Sequence, residues 1–175
     1  MCMLKIHIPF AHASSIYDID VAFFHKLGIK YVLADLDNTL DSYRTKLPSE
    51  RAVELKEKLA KENIELIIVS NNTGTRVSTY ANGLGVRYFN SIGKPFASRL
   101  LKKLAKLNIS QDDVIMIGDQ VVTDITCANR AKIKSVLTDK LVKEDQITTR
   151  FNRLFDRPLR KSLKRKNLLK DWRAI

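Results

Sequence analysis

A chain of 175 residues, 45% of them hydrophobic and 29% charged, can bury one substantial core and has the composition of an ordinary globular protein, not of a disordered or fibrous one. Its net charge of +12 is concentrated at one end: residues 140–175 hold twelve Lys or Arg against four acids, or +8, which leaves +4 for the first 139 residues. No apolar run approaches the ~20 residues that span a bilayer, and two cysteines, Cys2 and Cys127, are too few for a disulfide framework or a zinc site.

The start, Met1-Cys2-Met3-Leu4-Lys5-Ile6-His7-Ile8-Pro9, lacks the apolar core of a secretory signal, and its single lysine is poor support for a transit peptide. The expected location is the cytoplasm, at most peripheral to a membrane. His7, His12 and His25 are scattered among apolar residues and read as structural or surface positions. Ile16, Ile19, Phe23 and Leu27 recur at helical spacing and predict a short amphipathic helix ending at Gly28.

Tyr31-Val32-Leu33-Ala34 is a short apolar run that reads as a buried strand, and it delivers Asp35-Leu36-Asp37-Asn38-Thr39-Leu40 at its C-terminal end. In an open α/β sheet that end is where ligands bind. If the strand stays regular, Asp35 and Asp37 share a side, where two close carboxylates attract a divalent cation. A strand ending in a polar turn is the plain alternative.

Pro48-Ser49-Glu50 is a helix-start signal, followed by Ala52, Leu55 and Leu59 on one face. Ile64 to Ser70 reads as a second buried strand, running into Ser70-Asn71-Asn72-Thr73-Gly74. A helix is predicted from about Thr75 to Asn82, closed by Gly83-Leu84-Gly85, and then a short strand, Val86 to Phe89. Asn90-Ser91-Ile92-Gly93-Lys94-Pro95 leads to a helix with the face Phe96, Leu100, Leu104 and Leu107. Taken alone, Gly93-Lys94-Pro95 is a weak signal, since a solvated loop lysine has the same sequence. Ser110-Gln111-Asp112-Asp113 is a capped turn before the strand Val114 to Ile117, which ends in Gly118-Asp119-Gln120-Val121-Val122-Thr123-Asp124. A helix from about Thr123 to Arg130 and a strand Lys134 to Thr138 complete a repeated β-α pattern, which implies right-handed crossovers and a mostly parallel sheet in a three-layer α/β/α, Rossmann-like arrangement.

Four polar clusters therefore follow buried strands or feed a helix: Asp35-x-Asp37-x-Thr39, Ser70, Lys94, and Gly118-Asp119 with Asp124. In this order they resemble the haloacid dehalogenase-like (HAD) phosphohydrolase superfamily, from about Tyr31 to Thr138. Asp35 to Leu40, Ser70-Asn71-Asn72, Gly93-Lys94-Pro95 and Gly118 to Ile125 with Asn129-Arg130-Ala131 are similar to the YqeG-like subfamily, type IIIA, related to phosphatidylglycerophosphate phosphatases. Where relatives often carry a bulky residue after the first motif, this chain has Asp41-Ser42-Tyr43.

The resemblance implies an enzyme that hydrolyses phosphomonoesters through an aspartyl-phosphate, with Asp35 as nucleophile and Asp37 as general acid and base. Mg2+ would be held by Asp35, Asp119 and the backbone carbonyl of Asp37, with Asp124 beside it. Lys94 would balance charge at the phosphate, and Ser70, Asn71 and Thr39 would contact it. For Ser70 and Asp124 helix capping is an equally simple role. The intervals from Asp37 to Ser70 and from Ser70 to Lys94 are used up by single helices and strands, so no cap domain fits. The open site suits a phosphate carried on something large, with phosphatidylglycerophosphate the single best candidate.

The division expected is a core over 1–148 and a basic C-terminal tail over 149–175. In that tail Phe151, Leu154, Phe155, Leu159 and Leu163 recur near helical spacing among arginines and lysines, though Pro158 would break or kink a helix. Such a segment can lie on an anionic membrane, track RNA phosphates, or stay solvated. The alternative function is accordingly an RNA- or ribosome-associated binding protein on the same scaffold with little turnover.

Overall fold

Along β2 (Tyr31–Ala34), Val32 and Ala34 enter one apolar cluster and Leu33 another, and along β3 (Glu65–Val69) Leu66 and Ile68 part in the same way from Ile67 and Val69. A strand whose two sides are both buried must be covered by helices on both faces. The structure, a computed structural model, describes residues 5–141 and 147–175, and in the last helix the side chains from Leu154 on. Cys2, Lys143, Glu144 and Asp145 lie outside the described residues, as do the side chains of Arg150, Phe151 and Arg153.

All pairings in the sheet are parallel, in the order β1-β6-β5-β2-β3-β4. The remaining strands are β1 (Ala11–Ala13), β4 (Arg87–Phe89), β5 (Val114–Gly118) and β6 (Lys134–Thr138). On one face lie α1 (Val21–Lys26), α2 (Glu50–Lys61) and α3 (Thr75–Leu84), burying Phe24, Leu59 and Tyr80; on the other lie α4 (Ser98–Lys106) and α5 (Thr126–Arg130), burying Leu100, Leu104 and Cys127. Ser49 caps α2 by accepting from the Ala52 N–H, as its sequence predicts. Only α2 lies between β2 and β3, and only α3 between β3 and β4, so the first three polar clusters are joined without an inserted cap.

Four local expectations need correction. The stripe from Ile16 to Leu27 is not one helix: Ile16–Asp18 is a single 3-10 turn, Ile19 is extended, and α1 begins only at Val21, because Asp20 caps it through the Ala22 N–H. Ahead of it, Ala11–Ala13 forms the edge strand β1, too short to show alternation. Gly83 lies inside α3, which stops at Gly85 with φ +71°, the left-handed conformation glycine adopts freely. Phe96 precedes α4 and is 66% exposed beneath the Arg130 guanidinium, so the buried face is Leu100 and Leu104 without it. The helix expected from Thr123 instead starts as a π-helical turn, Val121–Ile125, that runs into α5.

The C-terminal segment packs on the core. Helix α6 (Ile147–Arg165) continues through Pro158, and Leu163 is fully buried against Val121, Ile125 and Leu137. Beyond it the His12 N–H donates to the Lys170 carbonyl, and Trp172 packs edge-on against Phe23. No described helix is long and apolar enough to cross a membrane.

Candidate active site

Register fixes the level of the site. Ala34 pairs with Ile68 of β3 and Ile117 of β5, so Asp35 comes level with Val69 and Gly118, the last residues of those two strands, and the segments after all three strands emerge together at one rim. The Asp35 N–H still donates to the Ile117 carbonyl (2.9 Å), which holds the first carboxylate to the sheet. Strand β2 ends before Asp37, whose carboxylate turns to Arg76 instead of sharing a strand face with Asp35.

At this rim Asp35, Asp119 and Asp124 are all buried, and one oxygen from each lies within 4.8 Å of the others. Lys94, itself 6% exposed, commits all three ammonium donors here: to Asp35 Oδ1 (2.6 Å), Asp124 Oδ1 (2.7 Å) and the Val69 carbonyl (3.1 Å). Burial pushes Asp35 well above the usual carboxylate range, against the pull of Lys94 and with the help of Asp124, Asp119 and Asp37. Burial also acts to lower Lys94, but Asp124 and Asp35 outweigh it, so its pKa is raised and it stays charged. Three carboxylates against one ammonium leave an excess of negative charge in a place with little water to screen it. An all-oxygen, anionic donor set of this kind fits a hard divalent cation.

Asp124 reaches the cluster because Gly118 lets it. A Cβ on Gly118 would lie 2.4 Å from Asp124 Cγ, closer than atoms can approach. The other Asp124 oxygen accepts from the Gln120 N–H (3.1 Å), across the start of the π-helical turn. Asp124 thus makes a capping-type bond and the Lys94 contact at once. Ser70 is buried, and its hydroxyl accepts from the Asn72 N–H (3.0 Å).

Asn71 has a task that its sequence position does not suggest. Its side-chain amide donates to the Lys94 carbonyl (2.8 Å) and accepts from the Lys94 N–H (2.6 Å), gripping that residue's backbone from both sides. Thr39 is 1% exposed, and its hydroxyl finds no hydrogen-bond partner among the described residues.

Arg76, missed by sequence reasoning, opens α3 and faces the first motif. Its guanidinium pairs with the Asp37 carboxylate and donates to the carbonyls of Ser42 (3.0 Å) and Thr45 (3.2 Å), tying down the loop after the first motif. Nothing local marks it, since an arginine in the first turn of a helix reads as solvated. The histidines are peripheral: His7 bonds Thr126, His12 lies against Asp139 and His25 against Glu62.

The fold and rim define a Rossmann-like α/β protein with an acidic, lysine-braced site at the C-terminal ends of parallel strands. A family model described as HAD-hydrolase-like matches residues 91–152, which include Lys94, Asp119 and Asp124. The Bacillus subtilis (strain 168) protein named "Probable phosphatase YqeG" is 29% identical over 162 residues, 93% of this chain and 94% of that one. Among solved structures, a 3-deoxy-D-manno-octulosonate 8-phosphate phosphatase from Yersinia pestis aligns with TM-score 0.50 at 15% identity, over 73% of this chain and 83% of its own. A protein from Listeria monocytogenes serotype 4b aligns with TM-score 0.53 at 16% identity, over 76% and 99%. At these identities the structural matches speak for the fold. The chain is thus similar to HAD-like hydrolases over residues 91–152 and to the probable phosphatase YqeG along nearly its whole length.

Proposed function

We propose that the chain is a magnesium-dependent phosphatase that works through an aspartyl-phosphate on Asp35. The observation that carries this reading is the convergence of Asp35, Asp119, Asp124 and Lys94 at one rim. In the first half-reaction a carboxylate oxygen of Asp35 attacks phosphorus, the bond to the ester oxygen breaks, and Asp37 protonates that leaving oxygen. In the second, Asp37 takes a proton from water as the water oxygen attacks phosphorus. The Asp35 oxygen–phosphorus bond then breaks, returning free carboxylate and orthophosphate.

Asp35, Asp119 and the Asp37 carbonyl would hold Mg2+, with Asp124 alongside. The ion would supply positive charge to the phosphoryl oxygens and to the approaching carboxylate. Lys94 adds a fixed cation to the same end, and Ser70 with Asn71 and Thr39 completes the phosphate cradle. Asn71 serves it chiefly by holding Lys94.

The substrate class we infer is a phosphomonoester on a large or lipid carrier, with phosphatidylglycerophosphate first. The uncapped rim supports this, as does α6, where Leu154 and Phe155 are 67% and 58% exposed next to Arg157. An apolar and basic surface of that kind suits an anionic bilayer. A second reading, RNA binding with little turnover, is favoured by α4. There Arg99, Lys102, Lys103 and Lys106 fall on one helical face and line a groove of about 370 Å³ with Asn90 to Ile92.

Phosphate release from vesicles carrying phosphatidylglycerophosphate tests the choice, with Asp35→Asn as the control. Release by the wild type, abolished in Asp35→Asn, is expected. Turnover surviving that substitution removes the nucleophile. Absence of turnover on lipid and small phosphomonoesters, with RNA binding lost in a Lys102→Gln/Lys103→Gln/Lys106→Gln variant, establishes the second reading.

A further inference from the structure

We propose that α6 is a clamp on the Asp119 loop, and that Asp156 and Arg160 are positioning residues for the metal ligand Asp119. The proposal rests on the reading of Asp119 as a ligand to a divalent cation. Asp156 and Arg160 are four residues apart on a helix and so face the same way. That face meets the loop between β5 and the π-helical turn.

Asp156 is 2% exposed, and its Oδ1 accepts from the Val122 N–H (3.1 Å). This N–H belongs to the first residues of the π-helical turn, where a helix has no backbone acceptor of its own to offer. A carboxylate supplied by another helix satisfies it and is favoured by the dipole there. One turn on, Arg160 Nη2 donates to the carbonyl of Asp119 (2.8 Å) and to that of Thr138 at the end of β6 (2.7 Å), while Nη1 pairs with Asp139 (2.7 Å). One guanidinium therefore fastens the backbone of Asp119 to the neighbouring strand end. Leu163, a turn below, is fully buried against Val121, Ile125 and Leu137, which fixes the helix from which both polar residues reach.

Docking α6 through its apolar side alone would not require contact with Asp119 or Val122. The two bonds bracket the loop at Asp119 and Val122, the first a proposed ligand and the second two residues before Asp124. Groups that hold a ligand in place are worth roughly 10–100-fold in metal affinity. Part of the basic C-terminal segment thus serves the site directly, apart from any anionic partner of its exposed lysines and arginines.

The test uses the full-length protein and Mn2+ as a spectroscopic probe for the cation, with free Mn2+ measured by electron paramagnetic resonance. Arg160→Gln and Asp156→Ala are expected to weaken Mn2+ binding roughly 10–100-fold. Asp156→Asn keeps an acceptor for Val122 and should restore most of it. Arg157→Gln and Lys161→Gln remove the same charge from exposed positions of the same helix and should bind within about twofold of the wild type, given the weak effect of screened surface charge. Melting temperatures without metal show which variants are folded. Should Arg160→Gln fail to fold, Arg160→Lys, which keeps a donor but not the fork, takes its place with an intermediate loss expected. Unchanged Mn2+ affinity in folded Arg160 and Asp156 variants, or equal losses in Arg157→Gln and Lys161→Gln, overturns the clamp while leaving the phosphatase reading in place. Failure of the wild type itself to bind Mn2+ overturns both, and is seen before any α6 variant is made.

Discussion

Alanine at position 118 would place a methyl group where Asp124 already is. Its Cβ would sit 2.4 Å from Asp124 Cγ and 2.5 Å from Asp124 Cβ and Oδ2, whereas carbon atoms rest at ~3.5–4.0 Å. Asp124 must therefore retreat by roughly 1 Å or more. It is 1% exposed and held on both oxygens, by Lys94 (2.7 Å) and by the Gln120 N–H (3.1 Å), so retreat strains or breaks two bonds to a charged group. Bonds of that kind contribute ~1.5–3 kcal/mol each, and overpacking alone costs ~1–3 kcal/mol. Because Lys94 keeps Asp35, only one bond's worth need be lost, and the low ends of that term and of overpacking give a net loss of about 3 kcal/mol, or a melting temperature lower by ~6–12 °C for a chain of this size. Urea denaturation of the metal-free protein followed by circular dichroism measures the loss. Asp124→Gly removes the obstructing atoms; Asp124→Ala would not, since the Asp124 Cβ is itself 2.5 Å away. In the Asp124→Gly background, Gly118→Ala should then cost less than about 1 kcal/mol, because atoms that collide couple non-additively. An equal cost in both backgrounds refutes the steric argument.

Arg76→Ala removes three bonds that fix Asp37 and the loop after the first motif, and kcat is expected to fall roughly 10–200-fold if one charge-assisted bond's worth of positioning is lost. Arg76→Lys should recover only part, lacking the planar fork, and steady-state kinetics with a soluble phosphomonoester will separate kcat from KM. Tyr80→Phe leaves the buried Asp41 carboxylate with the Ser49 N–H but without the Tyr80 hydroxyl, at a cost of ~1–3 kcal/mol by urea denaturation. Burial pushes the Cys127 thiol up to about 11, with Lys94 opposing and Asp124 reinforcing the shift. The unfolded thiol ionises near ~8.5 while the folded one keeps its proton, so its contribution to stability is complete below ~8.5 and is lost as pH rises to about 11. Cys127→Ala should therefore lose less stability than the wild type over that interval, and peptide mapping should find Cys127 unalkylated by iodoacetamide at pH 8 in the native protein.

What the sequence determines by itself is whatever repeats over a few residues. Apolar runs ending in Asp35, Ser70 and Gly118, the Ser49 cap and the Ala52-Leu55-Leu59 face are local, and local periodicity decides whether a stretch can bury one side or two. The parallel sheet follows from strands alternating with single helices, and the rim location of the acids follows from their place after those strands. The tertiary structure alone decides which polar groups meet across the chain. Arg76 finds Asp37 across 39 residues, Asn71 finds Lys94 across 23, Asp156 finds Val122 across 34 and Arg160 finds Asp119 across 41. Each side chain, read in its own segment, is an ordinary helix or loop residue, because a hydrogen bond depends on distance and direction in space and leaves no period in the sequence. Gly118 belongs to both accounts. Its place in the Gly-Asp motif is legible in the sequence, but the need for glycine appears only once Asp124 is seen occupying the volume of the missing Cβ.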